Sequence, residues 1–290
     1  MSSNEPSKEV AHHTLHQAVK RTRELHKQKN ELRLKRNEPA SILVAPLVKS
    51  IEENGNKEDL ANAHKALLEQ SRELLSKVKL PSPRHNPQLP TPERGGFTQV
   101  ISAPFWTAQW YQGGPGPNTD TADTSNGEVQ IKAYAPPDPT NVSSYAAAGV
   151  ATFFNPPLGG IYNLSVQADW EWGWFIGGGT KGGGSTSAMF TYCVFAYLDG
   201  QHLPQYDRSQ TVTIWSDSVG PSTISNFNNP WGYQQDEAFN PPPLTLQLAS
   251  GLGYAFWAWF VVNADSDVSS GGVAGNVLAL VNSFTLVSTD

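Results

Sequence analysis

All nine Trp, nine Tyr and twelve Phe lie at or after Phe97, and the residues before it contain none of these rings. A segment without rings has little apolar area to offset its ordering entropy, so the packed core must come from about 97 to 290. The first part is left as an extended helix, a tail, or a region that oligomerises. Charge divides at the same place. Of the 20 Lys and Arg, only Lys132, Lys181 and Arg208 follow Arg94, against 14 of the 26 acidic residues, which leaves +5 before the boundary and −11 after it. A domain that acidic repels a phosphate backbone, so nucleic acid is not expected as its partner.

Residues 9–37 are basic and compatible with helix. Leu15, Ala18, Thr22, Leu25, Lys29 and Leu32 alternate by three and four, a weak heptad that Pro39 and Pro46 are expected to break. A stronger stripe predicts a second helix over 57–79, where Leu60, Leu67 and Leu74 recur every seven residues and Leu68 and Leu75 widen the face. Such a face needs a partner, either the first helix folded back or another chain, so homo-oligomerisation through residues 9–79 is expected. The basic run from Lys20 to Arg36 is interrupted by Glu24 and Glu31 and reads as a solvated helix face rather than a nucleic-acid arm. Five prolines between Pro81 and Pro92 make residues 80–96 an extended linker. The organisation is therefore a helical stalk or oligomerisation segment over 1–79, a linker over 80–96 and a β domain over 97–290.

Beyond Gly96, short runs rich in Val, Thr and aromatics alternate with Gly, Pro, Asn and Asp. They predict strands at 97–103, 105–111, 128–135, 146–154, 162–175, 187–198, 211–216, 244–248 and 254–263, with two more within 273–287. That many strands imply a two-sheet antiparallel sandwich, jelly-roll-like, with the N-terminal helical segment attached. The glycine-rich stretch 177–184 lacks the Lys-then-Ser/Thr ending and following helix of a phosphate loop, and is expected to be a hairpin tip. Phe154-Asn155-Pro156-Pro157 recurs as Phe239-Asn240-Pro241-Pro242, and at the same offset Trp172, Trp174 and Phe175 match Trp257, Trp259 and Phe260. Two equivalent units of a pseudo-symmetric sandwich would explain this. Period-two alternation puts Trp170, Trp172 and Trp174 on one face and Asp169 and Glu171 on the other, so the tryptophans are expected to point inward.

Recognition aromatics are better sought beside loops. Trp106, Trp110 and Tyr111 precede a Gly-Pro loop, and Trp231 and Tyr233 sit among Asn, Gln and Asp. Acidic turns offer calcium candidates, the one cofactor in view: Asp120 and Asp123 with Asn118, Asn126 and Glu128, and Asp265 and Asp267 with Asn263 after a strand. Several chemistries lack their residues. His202 is the one histidine after Gly96, which leaves no multi-histidine metal site and no motif for a Ser–His–Asp relay. Cys193 is the one cysteine, set in an apolar run where a buried thiol is expected. Asp169 and Glu171 provide the carboxylate pair a glycosidase would need, but alternation sets such pairs in many sheets.

The start has no apolar stretch of a secretory signal peptide, and no run is long enough to span a bilayer as a helix, so a soluble chain is expected. The leading expectation is a non-enzymatic, lectin-like head that binds glycans, displayed on a helical oligomerising stalk. A structural coat subunit with a basic inner arm comes second, and a hydrolase third.

Overall fold

The computed structural model describes residues 4–54, 97–137, 140–177, 183–219, 234–235, 241–267 and 271–289. The helix expected at 57–79, the linker at 80–96, and Trp231 and Tyr233 lie outside these residues.

One helix, α1 (Lys8–Asn54), precedes an antiparallel two-sheet sandwich. Sheet A comprises β1 (Thr98–Ser102), β3 (Thr119–Ala122), β4 (Glu128–Ala135), β6 (Gly160–Ile176), β10 (Gln234–Gln235), β11 (Leu244–Leu248) and β13 (Val273–Ser288). Its spine runs β10-β6-β13-β4-β3, with β1 on β13 and β11 on β6. Sheet B comprises β2 (Thr107–Gly113), β5 (Val142–Phe154), β7 (Gly184–Leu198), β8 (Gln201–His202), β9 (Arg208–Val219) and β12 (Gly253–Ser266), ordered β2-β5-β12-β7-β8 with β9 on β7.

Alternation explains the layers. In β4, Val129, Ile131, Ala133 and Ala135 are buried between half-buried polar neighbours, because one face meets the core and the other is wetter. β12 is buried along its whole length. Its even positions, including Phe256, Ala258, Phe260 and Val262, join the core between the sheets. The odd positions Ala255, Trp257, Trp259 and Val261 belong to a second apolar cluster on the outer face, together with Ala11, Leu15 and Val19 of α1. The helix therefore packs on sheet B. Burial recurs every four residues along it, which keeps one side of a 3.6-residue helix against the strands.

Four expectations are corrected. β13 is one strand rather than two; a bulge between Val281 and Ser283 absorbs the change of phase. Strands β6 and β7 belong to different sheets and do not pair as the expected hairpin. The repeat fails in orientation. Trp172 and Trp174 pack against the inter-sheet core, whereas their matches Trp257 and Trp259 face outward beneath α1. Finally, α1 continues through Pro39 and Pro46, since proline forfeits one backbone bond while its fixed φ remains helical.

The inward reading of the tryptophans of β6 agrees with the structure. Trp170 is buried against Phe190 and Phe260, and Trp172 stacks on Trp215 at 5.3 Å. Asp169 accepts a hydrogen bond from Asn282 Nδ2 at 2.9 Å, on the face of β6 opposite Trp170.

Candidate functional site

The outer face of sheet B is a trough with a floor of small residues. On β5, Ala147, Gly149 and Ala151 lie opposite Val261, Trp259 and Trp257 of β12, and opposite Tyr111, Gln109 and Thr107 of β2. Strand alternation points all of these to the same side. Large rings thus flank a row without bulk. Tyr111 reaches across the floor to Trp259 at 5.7 Å between centroids, and Trp106 meets Phe153 at 5.5 Å. Farther along, β7 adds Cys193, Phe195 and Tyr197 to the same apolar cluster.

Helix α1 lies in this trough and is held by polar contacts at its margins. His12 Nε2 is 2.7 Å from Thr107 Oγ1, and Tyr111 donates from its hydroxyl to the His12 carbonyl at 3.2 Å. The His16 ring sits 4.8 Å from Tyr111, and the Arg23 guanidinium lies 3.4 Å over Tyr145, a cation–π contact. At the far end His26 Nε2 is 2.9 Å from Asp265 Oδ2, a carboxylate that also accepts from Ser143 Oγ at 2.6 Å.

Burial holds the His12 imidazole below its ordinary value of 6.5, with the Lys8 charge acting in the same direction and Glu9 opposing it. The unfolded chain therefore binds this proton more readily than the folded one, so His12's contribution is present above that ordinary value and is lost as pH falls from there through the lower folded value. We expect α1 to become more susceptible to limited proteolysis as pH drops below the ordinary imidazole value, and His12→Gln to flatten that dependence.

Between α1 and the β7–β9 side the trough opens as a cleft of about 280 Å³. Leu15, Val19, Phe195, Trp259 and Val261 give it an apolar lining. Thr191, Ser209, Thr211 and Asn263 supply hydroxyls and an amide, and Arg21, Arg23, His26, Asp207 and Arg208 add charge or ring nitrogens. Burial raises the Asp207 carboxyl above its usual range, opposed by the hydrogen bond from His202 and by Arg21 and Arg208. Cys193 also lines the cleft; burial pushes its thiol up, so it is a poor nucleophile while α1 is docked.

The residues singled out in the sequence are only partly brought together. Trp106 and Tyr111 belong to the trough, whereas Trp110 projects from the other side of β2 and is half exposed. Trp257 and Trp259, both in the outer cluster of the trough, stand out in the sequence only as half of a repeat. Their outward orientation depends on which face α1 covers, and local pattern does not report that.

The acidic candidates do not converge. Asp123 Oδ1 closes its own turn through the Ser125 amide and hydroxyl, and Asp120 lies on β3. Asp265 sits inside β12 rather than after it and is 1% exposed, with Asp267 just beyond the strand end and also buried. The strand continues that far because β5 and β7 pair with it through Ser266. Among the described residues, no three His, Cys, Asp or Glu side chains are grouped to hold a metal. Also among them, no helix is long and apolar enough to cross a membrane.

No family model matches the sequence, and no curated protein matches it. Among solved structures the chain is similar to TmCBM61 in complex with β-1,4-galactotriose, at 13% identity over 62% of this chain and 88% of that one, with a TM-score of 0.21. It is also similar to Arthrobacter globiformis T6 isomalto-dextranase complexed with panose, at 15% identity over 68% of this chain and 24% of that one, TM-score 0.23. A xylan-binding domain from CBM 22 aligns at 17% identity over 62% of this chain and 98% of that one, TM-score 0.18. The chemistry of the cleft therefore stands on its own residues.

Proposed function

We propose that this chain is a non-enzymatic recognition head for glycans, with the cleft between α1 and sheet B as its site. The observation that carries this is the mixture in the lining: aromatic and aliphatic surface edged by hydroxyl, amide, carboxylate and guanidinium groups. A pyranose presents apolar C–H faces and a rim of hydroxyls, so it needs both kinds of contact at once. Asp207 is the one carboxylate among the described lining residues, and glycoside hydrolysis uses two facing carboxyl groups. That favours binding over cleavage.

The head is carried on a segment that oligomerises through residues 9–79. Leu25 and Leu32, a heptad apart on α1, are 61% and 66% exposed and point away from the trough. Two exposed leucines on one helix side suit a second helix, and several heads in one particle would raise a weak glycan affinity by avidity.

The test is a glycan array with the full chain, followed by titration of the best hit. Arg208→Ala should weaken binding at least fivefold without lowering thermal stability, because this exposed side chain borders the cleft. An array with no hit removes the glycan reading. Binding that survives Arg208→Ala but is lost with Trp110→Ala moves the site to the edge strand β2. Mass photometry should show a small oligomer; large closed particles would favour the coat subunit instead.

A further inference from the structure

We propose that the glycan site continues beneath α1, and that the helix is a displaceable cover over a longer aromatic platform. This rests on the glycan reading of the cleft, whose sheet-side residues Thr191, Asp207, Arg208, Thr211 and Asn263 stay in place when α1 leaves with its own lining residues. Two independent observations point under the helix. The first is unsatisfied polarity. The indole Nε1 atoms of Trp257 and Trp259 are buried with no acceptor among the described residues, on tryptophans that are 0% and 3% exposed. A buried donor without an acceptor carries its full desolvation penalty with nothing to offset it, so α1 is an incomplete partner for this face. A sugar hydroxyl or ring oxygen is an acceptor that the helix does not provide.

The second observation is how α1 occupies the trough. Its apolar grip is Ala11, Leu15 and Val19, set against a face of several large rings. Two imidazoles of α1 also touch rings of this face, and neither stacks on its partner. His16 is tilted 56° to Tyr111 at 4.8 Å, and His12 meets Trp257 edge-on at 6.1 Å. The helix thus fills the platform with a modest hydrophobic contact and polar clasps at its margins. The small floor of Ala147, Gly149 and Ala151 leaves depth for a chain of pyranose units once α1 departs.

A cover that must leave before ligand enters reduces apparent affinity by the fraction of molecules in which it is away. The chain contains its own reporter of that fraction. Cys193 is the single cysteine, lies in the same cluster as Leu15 and Val19, and is 5% exposed. Its alkylation rate follows the opening of α1.

The experiment uses the full chain and Leu15→Asp, which places a carboxylate among the rings and should release α1 while leaving the sandwich core untouched. Iodoacetamide labelling of Cys193 is measured beside titration with cellohexaose, xylohexaose, mannohexaose and maltoheptaose. Leu15→Asp should label at least tenfold faster and bind one of these sugars at least tenfold tighter, the two ratios agreeing within about threefold. Trp259→Phe in the released background keeps a ring, removes the N–H, and should give back part of that gain. If Leu15→Asp proves unfolded by circular dichroism, the double variant His12→Ala/His26→Ala loosens both ends of the helix and is read in the same way. Faster labelling with unchanged or weaker sugar binding overturns the cover while leaving the cleft reading intact. Absence of sugar binding both in the native chain and in a chain shown to have released α1 overturns both.

Discussion

Replacing Phe260 by alanine lowers the unfolding free energy by about 3–5 kcal/mol, read from the midpoint of a urea transition at constant slope. Phe260 lies on β12, between Ala148 of β5 and Phe190 of β7, and is fully buried. Its ring is 4.7 Å from Phe190 within sheet B and 5.8 Å from Trp170 of sheet A, edge-to-face at 77°. It therefore joins the two sheets at the strand with the most complete burial. Truncation removes apolar area and leaves a ring-sized void that the paired backbones on both sides cannot close. Trp110→Ala is the contrast. That side chain is half exposed on an edge strand, and its loss should cost under about 1 kcal/mol. Equal effects at the two positions would mean that β12 is not the core strand described here.

Phe260 also shows what could be read from the chain without a structure. Its own strand reads as an unbroken apolar run, because β12 is buried on both faces; elsewhere burial on alternate residues leaves a period of two, and 128–135 and 244–248 match β4 and β11 at both ends. Other ends were missed where pairing carried a strand past its apolar run. Asp265, beyond the strand expected at 254–263, reads as a turn residue, yet β5 and β7 hold it in the ladder through paired backbone. Sheet membership was less legible still. Nothing local between β6 and β7 reports that the two strands belong to different sheets, because their pairing partners lie elsewhere in the chain.

The site was the least legible part. Trp106 and Tyr111 were recognised as aromatics beside a loop, but their neighbours Trp257 and Trp259 come from a strand more than a hundred residues later. The cover comes from a segment whose lack of aromatic rings marked it as separate from the core. Helix periodicity alone gave Leu15, Ala18, Thr22, Leu25 and Leu32 as one stripe. The structure divides it, with Leu15 buried in the trough and Leu25 and Leu32 exposed. A stripe drawn at a heptad spacing drifts around a straight helix, so the packed side had to be set by the sheet.

Gly149→Leu should destabilise the chain by about 3 kcal/mol or more, because two clashes coincide there. Gly149 faces Trp259 across the β5–β12 pair. A Cβ on Gly149 would meet the carbonyl oxygen of Ala258 and would lie 2.9 Å from both Trp259 Cα and the Trp259 ring. Backbone on the neighbouring strand cannot swing aside as a flexible side chain would, so β5 and β12 must separate or Trp259 must leave its rotamer. The rest of the leucine would then project into the floor of the trough where α1 lies. Ala151→Leu separates these two effects. It fills the same floor from a position where a Cβ already exists, so it should expose Cys193 to alkylation by displacing α1 while leaving the urea midpoint of the sandwich nearly unchanged. Gly149→Ala tests the other half. It adds the clashing carbon with almost no bulk in the trough, and should lower the urea midpoint by most of the Gly149→Leu effect. If Gly149→Ala is neutral and Gly149→Leu is not, the requirement for glycine comes from the helix above rather than from the strand beside it.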